Sequence, residues 1–128
     1  MRARDDGAAV VDFVLVSVLL VSLFLIVFQV GVVLHVRNVL VASAAEGARY
    51  GANADRTPEE GAAKAKAVIR DALGSRVADS MTCVPVEGEE IDGQAVVDVK
   101  CSGPMPIVFL PTGAFDLTVH GHAIEESR

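Results

Sequence analysis

"GAAVVDFVLVSVLLVSLFLIVFQVGVVLHV", residues 7–36, is the stretch on which the fold turns. Between Ala8 and Val36 the polar side chains are Asp12, Ser17, Ser22, Gln29 and His35 alone. A helix of about 20 apolar residues crosses a bilayer, so this run is long enough to be a transmembrane anchor. A cleaved secretory signal has a shorter apolar region, about 7–15 residues, followed by a small-residue exit site. The present run exceeds that length and is read as retained. One residue in it needs a reason. A carboxylate at the bilayer centre costs about 2.5–3.5 kcal/mol on insertion scales, and Asp12 stands near the start of the span.

The flanks give the orientation. Arg2 and Arg4 precede the span, accompanied by Asp5 and Asp6, and Arg37 follows it. Basic residues favour the cytoplasmic side, and a short N-terminal tail with a long C-terminal part suits an N-in, C-out topology. At 128 residues the chain has room for about one domain. Its formal net charge of −6 argues against a nucleic-acid partner. The expected layout is a basic leader over 1–7, a transmembrane helix over 8–36, a helix extension over 37–52 and an extracytoplasmic domain over 53–128.

Beyond the span, "NVLVASAAEGARYGA" (38–52) keeps strong helix formers and contains no Pro. Val39, Leu40, Ala44, Ala48 and Tyr50 lie partly on one side, leaving Glu46 and Arg49 to solvent. Gly47 and Gly51 weaken the helix by up to about 1 kcal/mol each. One helix is therefore predicted from about Ala8 to Tyr50, on the order of 65 Å long at 1.5 Å per residue. "NADRTPEEG" (53–61) breaks it and restarts another: Thr57 caps, Pro58 suits the first helical position, and Glu60 completes a capping box. Ala62, Ala65, Ile69, Ala72 and Leu73 form the apolar stripe of this second helix, with Lys64, Lys66, Arg70 and Asp71 toward water. Gly74 ends it.

Strands follow. "MTCVPVE" (81–87) and "AVVDVKC" (95–101) alternate around "GEEIDG" as a turn. With Cys83 opposite Cys101, Pro85 faces Val99, Glu87 faces Val97, and the turn centres on Asp92. Pro85 cannot donate to a ladder, so its strand belongs at a sheet edge. A third strand over 114–124 sends Phe115, Leu117, Val119 and Ala123 one way, and Asp116, Thr118, His120 and His122 the other. Between the second and third strands, "GPMPIVFLPTG" (103–113) reads as a loop. The fold class is α+β: a long N-terminal helix, a short helix and a roughly three-stranded antiparallel sheet.

Few residues suggest chemistry. Cys83 and Cys101, exported to an oxidising compartment, are expected to form a disulfide rather than stay free or bind metal. Seventeen residues separate them, which matches no zinc spacing well. His120 and His122 share a strand face with Asp116, an arrangement open to a metal but explained as well by an exposed polar face. His35 suits the membrane interface. "PIVFLP" (106–111) is either core or a contact patch. No phosphate loop or nucleophile elbow is visible, so neither an enzyme, a small-molecule substrate nor a cofactor is expected.

Two motifs, "GAAVVDFVLV" (7–16) and "RNVLVASAAEGARYGA" (37–52), together resemble the TadE-like family of tight-adherence (Flp) pilus proteins. Members carry an acid–aromatic pair before the span, here Asp12 and Phe13, and an A-x-E-G-A-R-Y run after it. The family usually has Glu at the position of Asp12. The resemblance covers roughly the first 52 residues and implies a type IV pilin-like subunit. It also implies a prepilin peptidase that cuts between Gly7 and Ala8 and leaves Asp12 as the fifth mature residue. Partners would be the inner membrane and other pilin-like subunits.

Physics gives Asp12 two readings. A new Ala8 amine and Asp12 would lie one helical turn apart on one face, and an unpaired acid at a low-dielectric boundary is costly. Neighbouring chains staggered by about one turn would bring the two charges together. Alternatively, Asp12 marks the helix start at the headgroups, where the helix dipole favours an acid. The expected function is a membrane-anchored minor pilin or pseudopilin acting in assembly of an adhesion pilus or related secretion apparatus. Small residues around Ala42 to Ala48 would let its helix approach others closely. The competing expectation is a signal-anchored extracytoplasmic binding module that is never processed.

Overall fold

The computed structural model describes residues 3–87, 90–105 and 115–126, with side chains described from residue 7 onward except at 87. The elements run α1 (Ala3–Gly51), α2 (Pro58–Leu73), α3 (Ser75–Ser80), β1 (Thr82–Glu87), β2 (Val96–Pro104) and β3 (Asp116–Ile124). The α+β class expected from the sequence is the one observed. The chain divides into two units, Met1–Val32 and Val33–Arg128.

The first unit is helical throughout its described part and covers almost none of its apolar surface. Phe13 is 74% exposed, and none of the most hydrophobic stretch of α1 is buried. Such a surface is stable in lipid, where a helix satisfies every backbone polar group internally. The serine inside it follows the same rule: the Ser22 hydroxyl donates to the Val18 carbonyl at 2.7 Å. Phe24 and Phe28, one turn apart, stack with ring centroids 6.3 Å apart. α1 starts at Ala3, five residues earlier than the predicted Ala8. Nothing in Ala3–Gly7 obliges a break, and acids at a helix N-terminus are favoured by its dipole.

The second unit is built around the C-terminal part of α1. Val36, Leu40, Ser43, Ala44, Gly47 and Ala48 are buried, a spacing of three and four residues that places them on one face. Ser43 is satisfied within the helix, donating to the Val39 carbonyl at 2.8 Å. α2 presents Gly61, Ala62, Ala65 and Ile69 to the core. Its start has the predicted chemistry: the Thr57 hydroxyl accepts from the Glu60 amide at 3.2 Å, and the Glu60 carboxylate accepts from the Thr57 amide at 2.9 Å. Ala72, placed in the buried stripe by the sequence, is exposed, and Leu73 is half-buried. The helix ends there, so its last turn has less of the domain beneath it.

Gly74 closes α2 at φ 91° and immediately opens α3, a helix the sequence reading did not contain. Arg70 and Asp79 tie the two helices through a 2.9 Å ion pair. The sheet is an antiparallel meander in the order β1-β2-β3. Cys83 faces Cys101, Pro85 faces Val99 and Glu87 faces Val97, as the spacing requires, with Pro85 on an edge strand. The turn centres between Asp92 and Gly93 rather than on Asp92. Both have positive φ, 52° and 77°, and Ile91 bridges Gln94 around them. Two positive φ values in succession are what a type I′ hairpin demands.

One face of the sheet carries Val97, Val99, Cys101, Val119 and Gly121, all buried. α2 packs on β1 and β2. β3 begins at Asp116, two residues later than predicted, and Phe115 before it is 59% exposed rather than inward. After β3 the Glu126 amide donates to the Ala52 carbonyl at 2.9 Å, fastening the strand's exit to the end of α1. "PIVFLP" (106–111), read as core or contact patch, lies outside the described residues.

Candidate functional site

Near the N-terminus, Gly7, Ala8 and Asp12 are all exposed and all inside α1. A side chain at Gly7 would meet nothing within 4 Å. The Gly7–Ala8 bond is therefore open to approach, but it is held in helical backbone. Asp12 makes no hydrogen bond or ion pair among the described residues. Ala8 carries a peptide nitrogen in the intact chain, so an amine for Asp12 to meet appears only after cleavage.

The second motif, Ala45 to Tyr50, divides between the two sides of α1. Gly47 and Ala48 point into the domain and are buried, while Glu46 and Arg49 are exposed. Gly47 is needed by close approach: a Cβ there would lie 2.5 Å from the Gly61 carbonyl oxygen and 2.7 Å from the Ala65 Cβ. Gly61 returns the contact against the Gly47 carbonyl. β3 approaches on the same principle, since a Cβ at Gly121 would collide with the Ala44 backbone. The small residues that the sequence suggested for contact with other subunits thus include several that seat α2 and β3 on α1 within one chain. Tyr50 closes the motif. The Arg56 guanidinium stands 5.0 Å from its ring centroid and the Lys64 ammonium 5.9 Å, both within cation–π range. Arg56 also reaches Glu60 of the capping box at 3.6 Å.

Cys83 and Cys101 are bonded to each other, joining β1 to β2 across 18 positions of chain. Among the described residues no cysteine is free. Cys101 is fully buried, so the bond runs from the sheet edge into the core.

His120 and His122 do share an exposed face of β3, but the carboxylate they meet is Asp98 of β2, not Asp116. His122 is directly opposite Asp98 in the register. His120 Nδ1 lies 3.1 Å from Asp98 Oδ2, and His122 Nδ1 lies 3.6 Å from Asp98 Oδ1. The Asp98 side chain is only 12% exposed, and the two imidazoles, stacked 6.1 Å apart, cover it. Among the described residues no group of three His, Cys, Asp or Glu is arranged to hold a metal ion. What the cluster does is pin the β2–β3 register, giving a nearly buried carboxylate one hydrogen-bonding partner, His120, with His122 beside it. A signal for Asp98 existed: it is the one charge within "AVVDV" of the central strand. The register that brings the imidazoles to it was not readable.

Residues 7–49 match the family model of TadE-like protein, in agreement with the resemblance carried by the two N-terminal motifs. The match takes in Gly7, Asp12, Glu46 and Arg49, and points to a pilus-associated, pilin-like protein. No curated protein and no solved structure matches the chain at a significant level. One helix is long and apolar enough to cross a membrane among the described residues, and it lies near the N-terminus. That helix fits a single-pass membrane protein.

Proposed function

We propose that this chain is a structural subunit of the TadE-like kind, anchored by α1 with its N-terminus cytoplasmic and its second unit extracytoplasmic. It takes part with other pilin-like subunits in assembling a tight-adherence pilus or a related secretion apparatus, and has no catalytic role. The observation that carries this reading is the TadE-like match over residues 7–49, because it joins the Gly7–Asp12 segment to the Glu46–Arg49 segment in one helix. In this reading a prepilin peptidase cuts between Gly7 and Ala8, and the new amine meets Asp12 of a neighbouring subunit.

The rival reading is a signal-anchored binding module that keeps its first seven residues. It draws on α1 beginning at Ala3, which leaves the Gly7–Ala8 bond inside helix that a peptidase must first unwind. The mature N-terminus separates the two. With its prepilin peptidase coexpressed, the full chain should give an intact mass beginning at Ala8. Retention of residues 1–7 in peptidase-positive cells would establish the unprocessed anchor.

A further inference from the structure

The side of α1 opposite the domain core carries Val41, Ala42, Ala45, Glu46 and Arg49, which successive 100° steps of the helix bring to one face. Val41 is 42% exposed, and Ala42, Glu46 and Arg49 are exposed as well. Glu46 and Arg49 stand three residues apart, a spacing at which opposite charges on a helix can pair. They do not: neither makes an ion pair or hydrogen bond among the described residues. An exposed charge pair on a helix needs no partner to be soluble. This one, however, borders a strip of Val41, Ala42 and the half-buried Ala45, whose small side chains let another backbone come close.

We infer that this face receives a second copy of the same chain lying parallel in the membrane, with Arg49 of one copy meeting Glu46 of the next. The inference rests on the pilin-like reading above, which puts copies side by side in one orientation. The face is complementary to itself only with an offset. Arg49 lies three residues beyond Glu46, about 4.5 Å along the helix, so the second copy must be displaced by that much toward its C-terminal end. That offset is fixed locally, within about one turn of the helix. An unstaggered neighbour would set Glu46 beside Glu46 and Arg49 beside Arg49, so the pair also rejects the wrong register.

The test uses the full chain in membranes, with the native disulfide intact so that only introduced thiols react. Two tagged versions, A42C and A45C, are coexpressed and oxidised. These positions repeat the three-residue offset, and a disulfide forms only when Cβ atoms come within about 4.5 Å. The expected result is a 42–45 product severalfold above the 42–42 and 45–45 products. R49E in both versions should remove that preference, and the double change E46R/R49E should restore it. Equal yields of the three products, no product, a crosslink to a chain of another mass, or indifference to charge reversal would overturn the inference. The N-terminal mass, read on the same sample, reports separately on the pilin-like reading. A chain cut at Ala8 whose crosslinks ignore R49E removes only the Glu46–Arg49 contact.

Discussion

The N-terminal part of α1 and its part beyond Val33 are the same element by hydrogen bonding, yet different environments stabilise them. Through residue 30 of the first, every Val and Leu side chain described except Leu25 stands more than half exposed, and Ser22 bonds its own helix. In the second, one side of each turn is covered by the rest of the domain, and Leu40, Ala44 and Ala48 are at most 1% exposed. The glycines mark the change most sharply. A methyl group at Gly31 would meet nothing within 4 Å, whereas Gly47 has no room for one. A lipid-facing helix needs apolarity and little else, so its sequence is loosely specified. A helix that nucleates a small domain needs shape at each inward position.

The largest effect that separates the two parts should come from the disulfide. It closes a loop of 18 positions in the second unit and touches nothing in the first. The chain-entropy account gives about 3 kcal/mol for a loop of this size, a large share of what a domain this small can command. The purified chain should show no free thiol until reduced. Cys83→Ser with Cys101→Ser should then lose protease resistance in the second unit while the apolar helix of the first stays protected in the membrane. Full alkylation of both native cysteines without reductant would show that the bond does not form.

A smaller effect, but one that changes sign, is expected at the two glycines. Gly31→Ala gains helix propensity, up to about 1 kcal/mol, with nothing to push against. Gly47→Ala has the same propensity gain but drives a Cβ into the Gly61 carbonyl and Ala65. Overpacking of this kind costs about 1–3 kcal/mol, so the net effect should be destabilising. Thermal unfolding of the second unit in detergent measures both. Equal shifts at the two positions would mean that α1 and α2 do not approach as closely as described.

The same contrast explains what was legible in the sequence. The span, the capping box at Thr57 and the end of α2 at Gly74 are local signals, each contained in a few residues. The β1–β2 register was readable because the two cysteines bracket a short Asp-Gly hairpin, which leaves one natural pairing. α3 was not: six residues, "SRVADS", are too few to show a helical period. The Asp98–His120–His122 cluster was missed for another reason. Its members lie on strands joined by a longer connection, so no turn fixes which residues face each other. Gly47 was visible as a weak point in a helix, but its partner Gly61 follows a separate cap and break. Sequence reading singled out Gly47 and could not see that Gly61 meets it.

The last and smallest effect on stability should be at Asp12, and there the comparison bears on function. Asp12 is exposed and makes no contact within the described chain, so its carboxylate holds nothing in the fold. Asp12→Ala should even ease insertion, because it removes a polar group from the span. If the acid serves a neighbour's Ala8 amine, assembly depends on its charge rather than on its shape. Asp12→Glu should then be tolerated, while Asp12→Asn, nearly identical in shape, should fail like Asp12→Ala. The measurement is crosslinking to pilin-like partners in membranes, with abundance and the mature N-terminus followed in parallel. All three variants should remain anchored, and only Glu should crosslink as the native chain does. Native crosslinking by Asn would show that no neighbour uses the charge of Asp12; the helix dipole would not account for the acid in the intact chain either, because α1 begins nine residues earlier, at Ala3.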